Sequence, residues 1–166
     1  MFARVRVLLL DKEGLDTREL EIALETKGYD VDVCHDGLSA MEKLYSGEPY
    51  SLVLLNLVLA RRSGFAVIAQ IRKALNSNVP IIALSGLGSP RHQQYAAALG
   101  ANVCLSRPCG FAWILDAVRQ QLDCSRAFAY EGLDLDESGI DLPQAHYPDR
   151  SGLNGRLDQT SRWPHV

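Results

Sequence analysis

At 166 residues the chain suits one compact domain with a remainder. Hydrophobic residues make up 47% and charged residues 22%, ordinary for a soluble globular protein, and the net charge of −3 argues for neither nucleic acid nor a membrane surface as partner. The charge is uneven, with 12 acids and 13 bases in residues 1–122 but 8 acids and 4 bases in residues 123–166.

The longest apolar run, Leu52 to Ala60, is broken by Asn56 and falls well short of the ~20 residues of a membrane span. The N-terminus enters a strand pattern directly, with no cleavage site, so no signal peptide is expected. Cys34, Cys104, Cys109 and Cys124 form no C-x-x-C pair. They read as reduced thiols of a cytoplasmic protein rather than as a disulfide framework or a metal site.

Arg4 to Leu10 is a buried strand pattern that stops at Asp11. Asp16 and Glu19 have capping-box spacing, predicting a helix from Asp16 through Leu20, Ala23 and Leu24 to a stop at Gly28. Tyr29 to Cys34 alternates as a second strand, and Leu38 to Tyr45 is a short helix after Asp36-Gly37. Ser51 to Leu55 is a third strand running into Asn56. Ser63 then caps a helix with Phe65, Ile68, Ala69, Ile71 and Leu75 on its apolar face. Pro80 to Leu84 is the fourth strand, ending at Ser85, and Ser89-Pro90 opens a helix to Leu99-Gly100. Ala101 to Leu105 is the fifth strand, and Gly110 to Leu122 a last helix buried through Ile114, Leu115, Val118 and Leu122.

Five β-α units imply a parallel sheet with helices on both faces and a site at the carboxyl ends of its strands. Those ends are Asp11, Cys34-His35, Asn56, Ser85 and Ser106-Arg107. His35 and His92 have no evident neighbours for a ligand role and are expected to be exposed and unpaired. Residues 1–122 form the expected domain. Residues 123–166, rich in Asp, Gly, Ser and Pro, are expected to be an acidic, mostly disordered tail, with at most a short helical or extended segment near 123–135.

Strand-Asp11, Gly28-Tyr29, Asp36-Gly37, LVLLN ending at Asn56, Gly64, PIIALS ending at Ser85, Leu99-Gly100-Ala101 and Arg107-Pro108 follow one another in an order that resembles the response-regulator receiver domain, from about Val5 to Leu122. The resemblance implies a flavodoxin-like, doubly wound α/β fold with strand order 2-1-3-4-5. It also implies a site in which two acids after the first strand and an aspartate after the third hold Mg²⁺. The third-strand aspartate accepts a phosphoryl group, whose oxygens are bound by a Ser/Thr and a lysine. Asp11 matches the first acid and Ser85 the hydroxyl.

Four positions depart from that pattern. Lys12 stands for the second acid, Asn56 for the phosphoacceptor and Arg107 for the lysine, and Cys104 takes the aromatic switch position. An amide has neither the charge nor the nucleophilicity to attack a phosphoryl donor, and an ammonium repels Mg²⁺. The chain therefore resembles an atypical, or pseudo-, receiver. Asn56 is not expected to be modified, and neither metal nor other cofactor is expected.

Lys12 and Arg107 are expected to close on Asp11 as an internal substitute for the metal. Arg61 and Arg62, in the loop after the third strand, are candidate contacts for an anion at the mouth. Phe111 and Trp113 add two aromatics to the outer side of the last helix and mark a candidate interface, either for a partner or for the acidic tail folding back.

The expected function is that of a stand-alone receiver module in a two-component or phosphorelay pathway, not an enzyme, working by protein contact. Its partner would be a signalling kinase, an output protein or a second copy through the last helix, with no nucleic acid or membrane. An alternative is a sensor that binds an anion or small molecule in the degenerate pocket. A more distant one is a phosphatase of the haloacid-dehalogenase type, suggested by Asp11-Lys12-Glu13-Gly14 with Ser85-Gly86 and tested by Mg²⁺-dependent hydrolysis of a phosphate ester.

Overall fold

Strands buried on both faces must be apolar at consecutive positions, and helices that cover them must be apolar on one side only. The computed structural model describes residues 4–131 apart from 48, 87 and 88, with side chains described as far as residue 126. In chain order the elements are β1 (Arg6–Leu10), α1 (Leu15–Thr26), β2 (Asp30–Cys34), α2 (Gly37–Tyr45), β3 (Leu52–Asn56), α3 (Gly64–Lys73), β4 (Ile81–Gly86), α4 (Pro90–Leu99), β5 (Val103–Arg107) and α5 (Phe111–Glu131). All strand pairs are parallel, in the order β2-β1-β3-β4-β5.

Alternate side chains of the central strands feed two separate cores. Leu8, Leu10, Val53, Leu55, Ile81 and Ala83 pack with α2, α3 and α4. Val7, Leu9, Leu52, Leu54, Ile82 and Leu84 pack with α1 and α5 through Leu20, Leu24, Ile114, Val118 and Leu122. This is the doubly wound arrangement expected from the β-α alternation.

The ends of some elements differ from expectation. Helix α1 begins one residue before Asp16, and its N-cap is Gly14, with no side-chain cap. Thr17 explains the shift: it lies three residues before Leu20 on the buried side, and its hydroxyl donates to the Lys12 carbonyl. Ser63 does cap α3, accepting from the Ala66 N–H at 3.4 Å, whereas Ser89 makes no side-chain cap. Strand β5 starts and ends two residues later than the apolar run suggested, which brings Arg107 into the strand. Helix α5 continues past Leu122 to Glu131, and the expected tail beyond that residue lies outside the described residues.

The edge strand β2 carries Asp32, a charge that blunts an exposed strand edge. Arg6 donates to its Oδ2 at 2.7 Å and Tyr50 at 2.8 Å, while Lys43 donates to Oδ1 at 3.3 Å. Burial pushes this carboxyl up, but the hydrogen bonds from Tyr50, Lys43 and Arg6 together outweigh it and hold the group below its usual value. A carboxyl lowered in the folded state stabilises the fold above its unfolded value, near pH ~3.9, and that contribution is lost as pH falls through the folded value. Asp32→Asn is therefore expected to cost about 1 kcal/mol at neutral pH and nearly nothing below pH ~3. Urea denaturation at the two pH values checks this, and an equal cost at both would contradict it.

Candidate functional site

Parallel strands place all their carboxyl ends on one edge of the sheet, so side chains far apart in sequence meet there. Asp11 follows β1, Asn56 ends β3, Ser85 lies in β4 and Arg107 ends β5. Asp11, Asn56 and Ser85 are buried, with only 1% of Asp11 exposed.

The Asp11 carboxylate is fully engaged. Its Oδ1 accepts from the Lys12 backbone N–H at 2.8 Å and from Asn56 Nδ2 at 2.9 Å. Its Oδ2 accepts from Arg107 at 2.5 Å. The Asn56 amide is oriented by two partners, because its Oδ1 accepts from the Val58 N–H at 2.9 Å. Turning the amide over would set oxygen against carboxylate and NH₂ against N–H, so this orientation is the consistent one. Bonds of this kind, to a buried charge, are each worth roughly 1.5–3 kcal/mol.

Gly64 fixes the position of Asn56. A Cβ on Gly64 would come within 2.3 Å of the Asn56 carbonyl oxygen, and the Gly64 N–H donates to the Leu57 carbonyl at 3.1 Å. Only a glycine lets α3 start this close to the strand end.

The Mg²⁺ implied by the resemblance does not fit these residues. That ion wants oxygens in near-octahedral geometry at about 2.0–2.1 Å. Here both Asp11 oxygens and the Asn56 oxygen already accept hydrogen bonds, a guanidinium sits on one of them, and the next residue is Lys12.

Other expected site residues fall differently. Lys12 lines the cleft at the strand ends, together with Glu13, Gly14, Asp16 and Thr17, but its ammonium is exposed. It meets Asp11 through its backbone N–H. The expected three-member cluster is thus a pair, Asp11 with Arg107, joined by Asn56. Ser85 is buried, with its hydroxyl 3.4 Å from the Gly86 carbonyl. Arg61 and Arg62 do not line the cleft. Arg61 turns to Asp36, the N-cap of α2, at 3.8 Å, and the Arg62 backbone packs over Gly37. No observation therefore favours an anion at the mouth.

Cys104 is half-buried and its Sγ lies 3.6 Å from the Gln93 carbonyl; burial pushes this thiol up and keeps it protonated. Phe111 is half-buried against the core rather than on the outer side, since it falls on the same helix face as Ile114 and Val118. Trp113 alone of that pair is outside, 72% exposed. His35, expected to be unpaired, places Nδ1 3.0 Å from the Asp11 carbonyl. A carbonyl can only accept, so Nδ1 carries the proton. Position at a strand end was the one sequence signal for it, and the partner is a backbone atom that no spacing reveals.

Comparison with known proteins shows the family and the fold. The family described as response regulator receiver domain is matched over residues 7–119. The CpxR homolog of Haemophilus influenzae, a transcriptional regulatory protein, is 36% identical over 103 residues, covering 62% of this chain and 44% of that protein. Transcriptional regulatory protein CusR of Escherichia coli is 30% identical over 118 residues, covering 71% and 51%. The chain spans about half the length of the curated relatives it matches. Among solved structures, a CheY-like receiver domain protein from Methanospirillum hungatei superimposes with a TM-score of 0.70 at 20% identity, covering 76% of this chain and 99% of that one. NtrX from Brucella abortus gives 0.69 at 23% identity, covering 78% and 29%.

Proposed function

The chain belongs to the response regulator receiver domain family of two-component signalling, and within it we propose a role that needs no phosphoryl group: signalling by protein contact alone. The observation that carries this is the Asn56 amide donating to Asp11 while Arg107 holds the carboxylate's other oxygen. The position that would need an anionic nucleophile is a hydrogen-bond donor, and the position that would need a metal is satisfied internally. We assign the chain no turnover of its own.

The proposed partner is a signalling kinase, an output protein or a second copy, met through α5, where Trp113 is exposed. The transcriptional roles in the two relatives' names belong to proteins of which the match covers 44% and 51%. The expectation of no nucleic-acid contact is therefore confined to the receiver residues. No helix among the described residues is long and apolar enough to cross a membrane. The proposed setting is the cytoplasm, where free thiols such as Cys34 and Cys104 persist.

Incubation with acetyl phosphate and Mg²⁺ is expected to leave the intact mass unchanged, and beryllofluoride is expected to leave the Trp113 environment unchanged. A stoichiometric gain of one phosphoryl group would overturn the proposal. On the contact side, Trp113→Ala is expected to abolish capture of the partner that the parent chain retains from the native cell, without loss of fold. Equal capture by both chains would remove α5 from the interface.

A further inference from the structure

Acids are missing from a long stretch of this chain. From Pro49 to Leu115 the sequence holds six Arg or Lys and no Asp or Glu, whereas residues 1–48 hold 11 acids and 6 bases. That stretch supplies β3, α3, β4, α4 and β5, so one part of the fold carries cations alone. Three of the six have partners. Arg61 pairs with Asp36, Arg107 pairs with Asp11, and Arg72 donates to the Gly100 and Ser77 carbonyls. Arg62, Lys73 and Arg91 have no ion-pair partner among the described residues.

The core takes little of α4. Of its ten residues only Ala96 is buried, while Arg91, His92, Gln94, Tyr95, Ala97 and Ala98 are exposed. A helix face turned to water normally carries several charged residues, but Arg91 is the only one in α4. Tyr95 is 56% exposed and yet held in place. Its ring lies 5.2 Å from that of Phe65 in α3, and His92 meets the same Phe65 ring edge-on at 5.6 Å. Such contacts fix the Tyr95 ring before a partner arrives, which lowers the ordering cost of binding. Arg91 stands one turn before Tyr95, so the two side chains are neighbours on the helix surface. Aromatic and Arg side chains without Asp or Glu are the composition of a protein-binding surface.

We propose that the α3–α4 face, centred on Tyr95 and Arg91, docks an acidic, partly apolar segment of a partner protein. An apolar side chain of that segment rests on Tyr95 and the exposed alanines, and a carboxylate meets Arg91 without a competing acid nearby. A nucleic acid fits less well, because following a phosphate backbone takes a run of cations and α4 offers one among alanines. Helix α4 packs with α2 and α3 on one face of the sheet, whereas α1 and α5 pack on the other. The surface is therefore additional to the one proposed on α5 and does not depend on it. Two contact faces on opposite sides of one sheet allow the domain to join two proteins.

The test is a selection from displayed random peptides of about 12 residues against the full chain. Enriched peptides are expected to combine Asp or Glu with Leu, Ile or Phe, and to shift the amide resonances of residues 65–73 and 90–99. Tyr95→Ala and Arg91→Glu are each expected to weaken a selected peptide at least ~10-fold. Thermal melting checks the fold of both variants, and Arg91→Glu, at an exposed position, decides the matter if Tyr95→Ala unfolds the chain. Trp113→Ala is expected to leave the affinity unchanged, so the α5 contact and this one fail separately. Enrichment of neutral or basic peptides, no enrichment, or a footprint on α5 or at the strand ends would each overturn the proposal. A single-stranded oligothymidylate that binds the same residues more tightly than the selected peptides would also overturn it, by making the partner a nucleic acid.

Discussion

Asp11→Ala is expected to lower stability by ~2–4 kcal/mol at neutral pH. Removing the carboxylate strands three donors at once: the Lys12 N–H, the Asn56 amide and the Arg107 guanidinium. Breaking a fully buried pair by deleting one partner costs roughly 3–5 kcal/mol. The estimate is lower here because the Arg107 side chain is 24% exposed and water can take up part of the loss. In a receiver with several crowded carboxylates the same substitution relieves repulsion, so the sign of the change separates the two arrangements. Equilibrium denaturation of parent and variant decides it, and a variant as stable as the parent would mean that Arg107 does not neutralise Asp11.

Restoring an acid at the phosphoacceptor position is expected to hurt as well. In Asn56→Asp a carboxylate oxygen takes the place of the Nδ2 that now lies 2.9 Å from the Asp11 carboxylate. Two like charges this close in a buried setting cannot both ionise freely, and the introduced carboxyl titrates above its unfolded value of ~3.9. A group raised on folding leaves stability intact below the unfolded value and removes it as pH rises through the folded one. The variant should thus match the parent below pH ~4 and lose ~2–4 kcal/mol by neutral pH. Urea midpoints measured across that range provide the check, and a pH-independent difference would mean that the amide is not bonded to Asp11. The substitution is not expected to restore phosphorylation, because Lys12 still stands where the metal needs an acid.

The frame of the molecule was legible because burial on both faces forces uninterrupted apolar runs such as Leu52 to Leu55, which few other structures tolerate. The strand-end residues were legible for the same reason: once the sheet is parallel, Asp11, Asn56, Ser85 and Arg107 must share one edge. What a sequence does not carry is direction. Lys12 and Arg107 are both cations at strand ends, yet one points to solvent and the other to Asp11. Arg61 adopts a positive φ of 62°, and its side chain pairs with Asp36. Nothing in the residue type announces either.

The apolar pattern ended at Leu122, with at most a short helical or extended segment expected near 123–135, and α5 runs on to Glu131 for a different reason. Apolar periodicity marks only the part of a helix that is buried, and residues 123–126 are exposed. Local interactions extend the helix instead. Arg119 pairs with Asp116 at 2.7 Å and with Asp123 at 3.6 Å. Pairs of this kind contribute only a few tenths of a kcal/mol each, enough to prolong a helix that packing has already nucleated.

That extra length makes α5 a lever. Its 21 residues span about 31 Å, whereas the five-residue strands it covers are about 17 Å long. The portion after Leu122 extends for about 13 Å, and residues 123–126 of it are exposed. A bend of about 5° at Leu122 would carry the end at Glu131 through about 1.2 Å. Such a bend would leave Ile114, Val118 and Leu122 seated against the sheet.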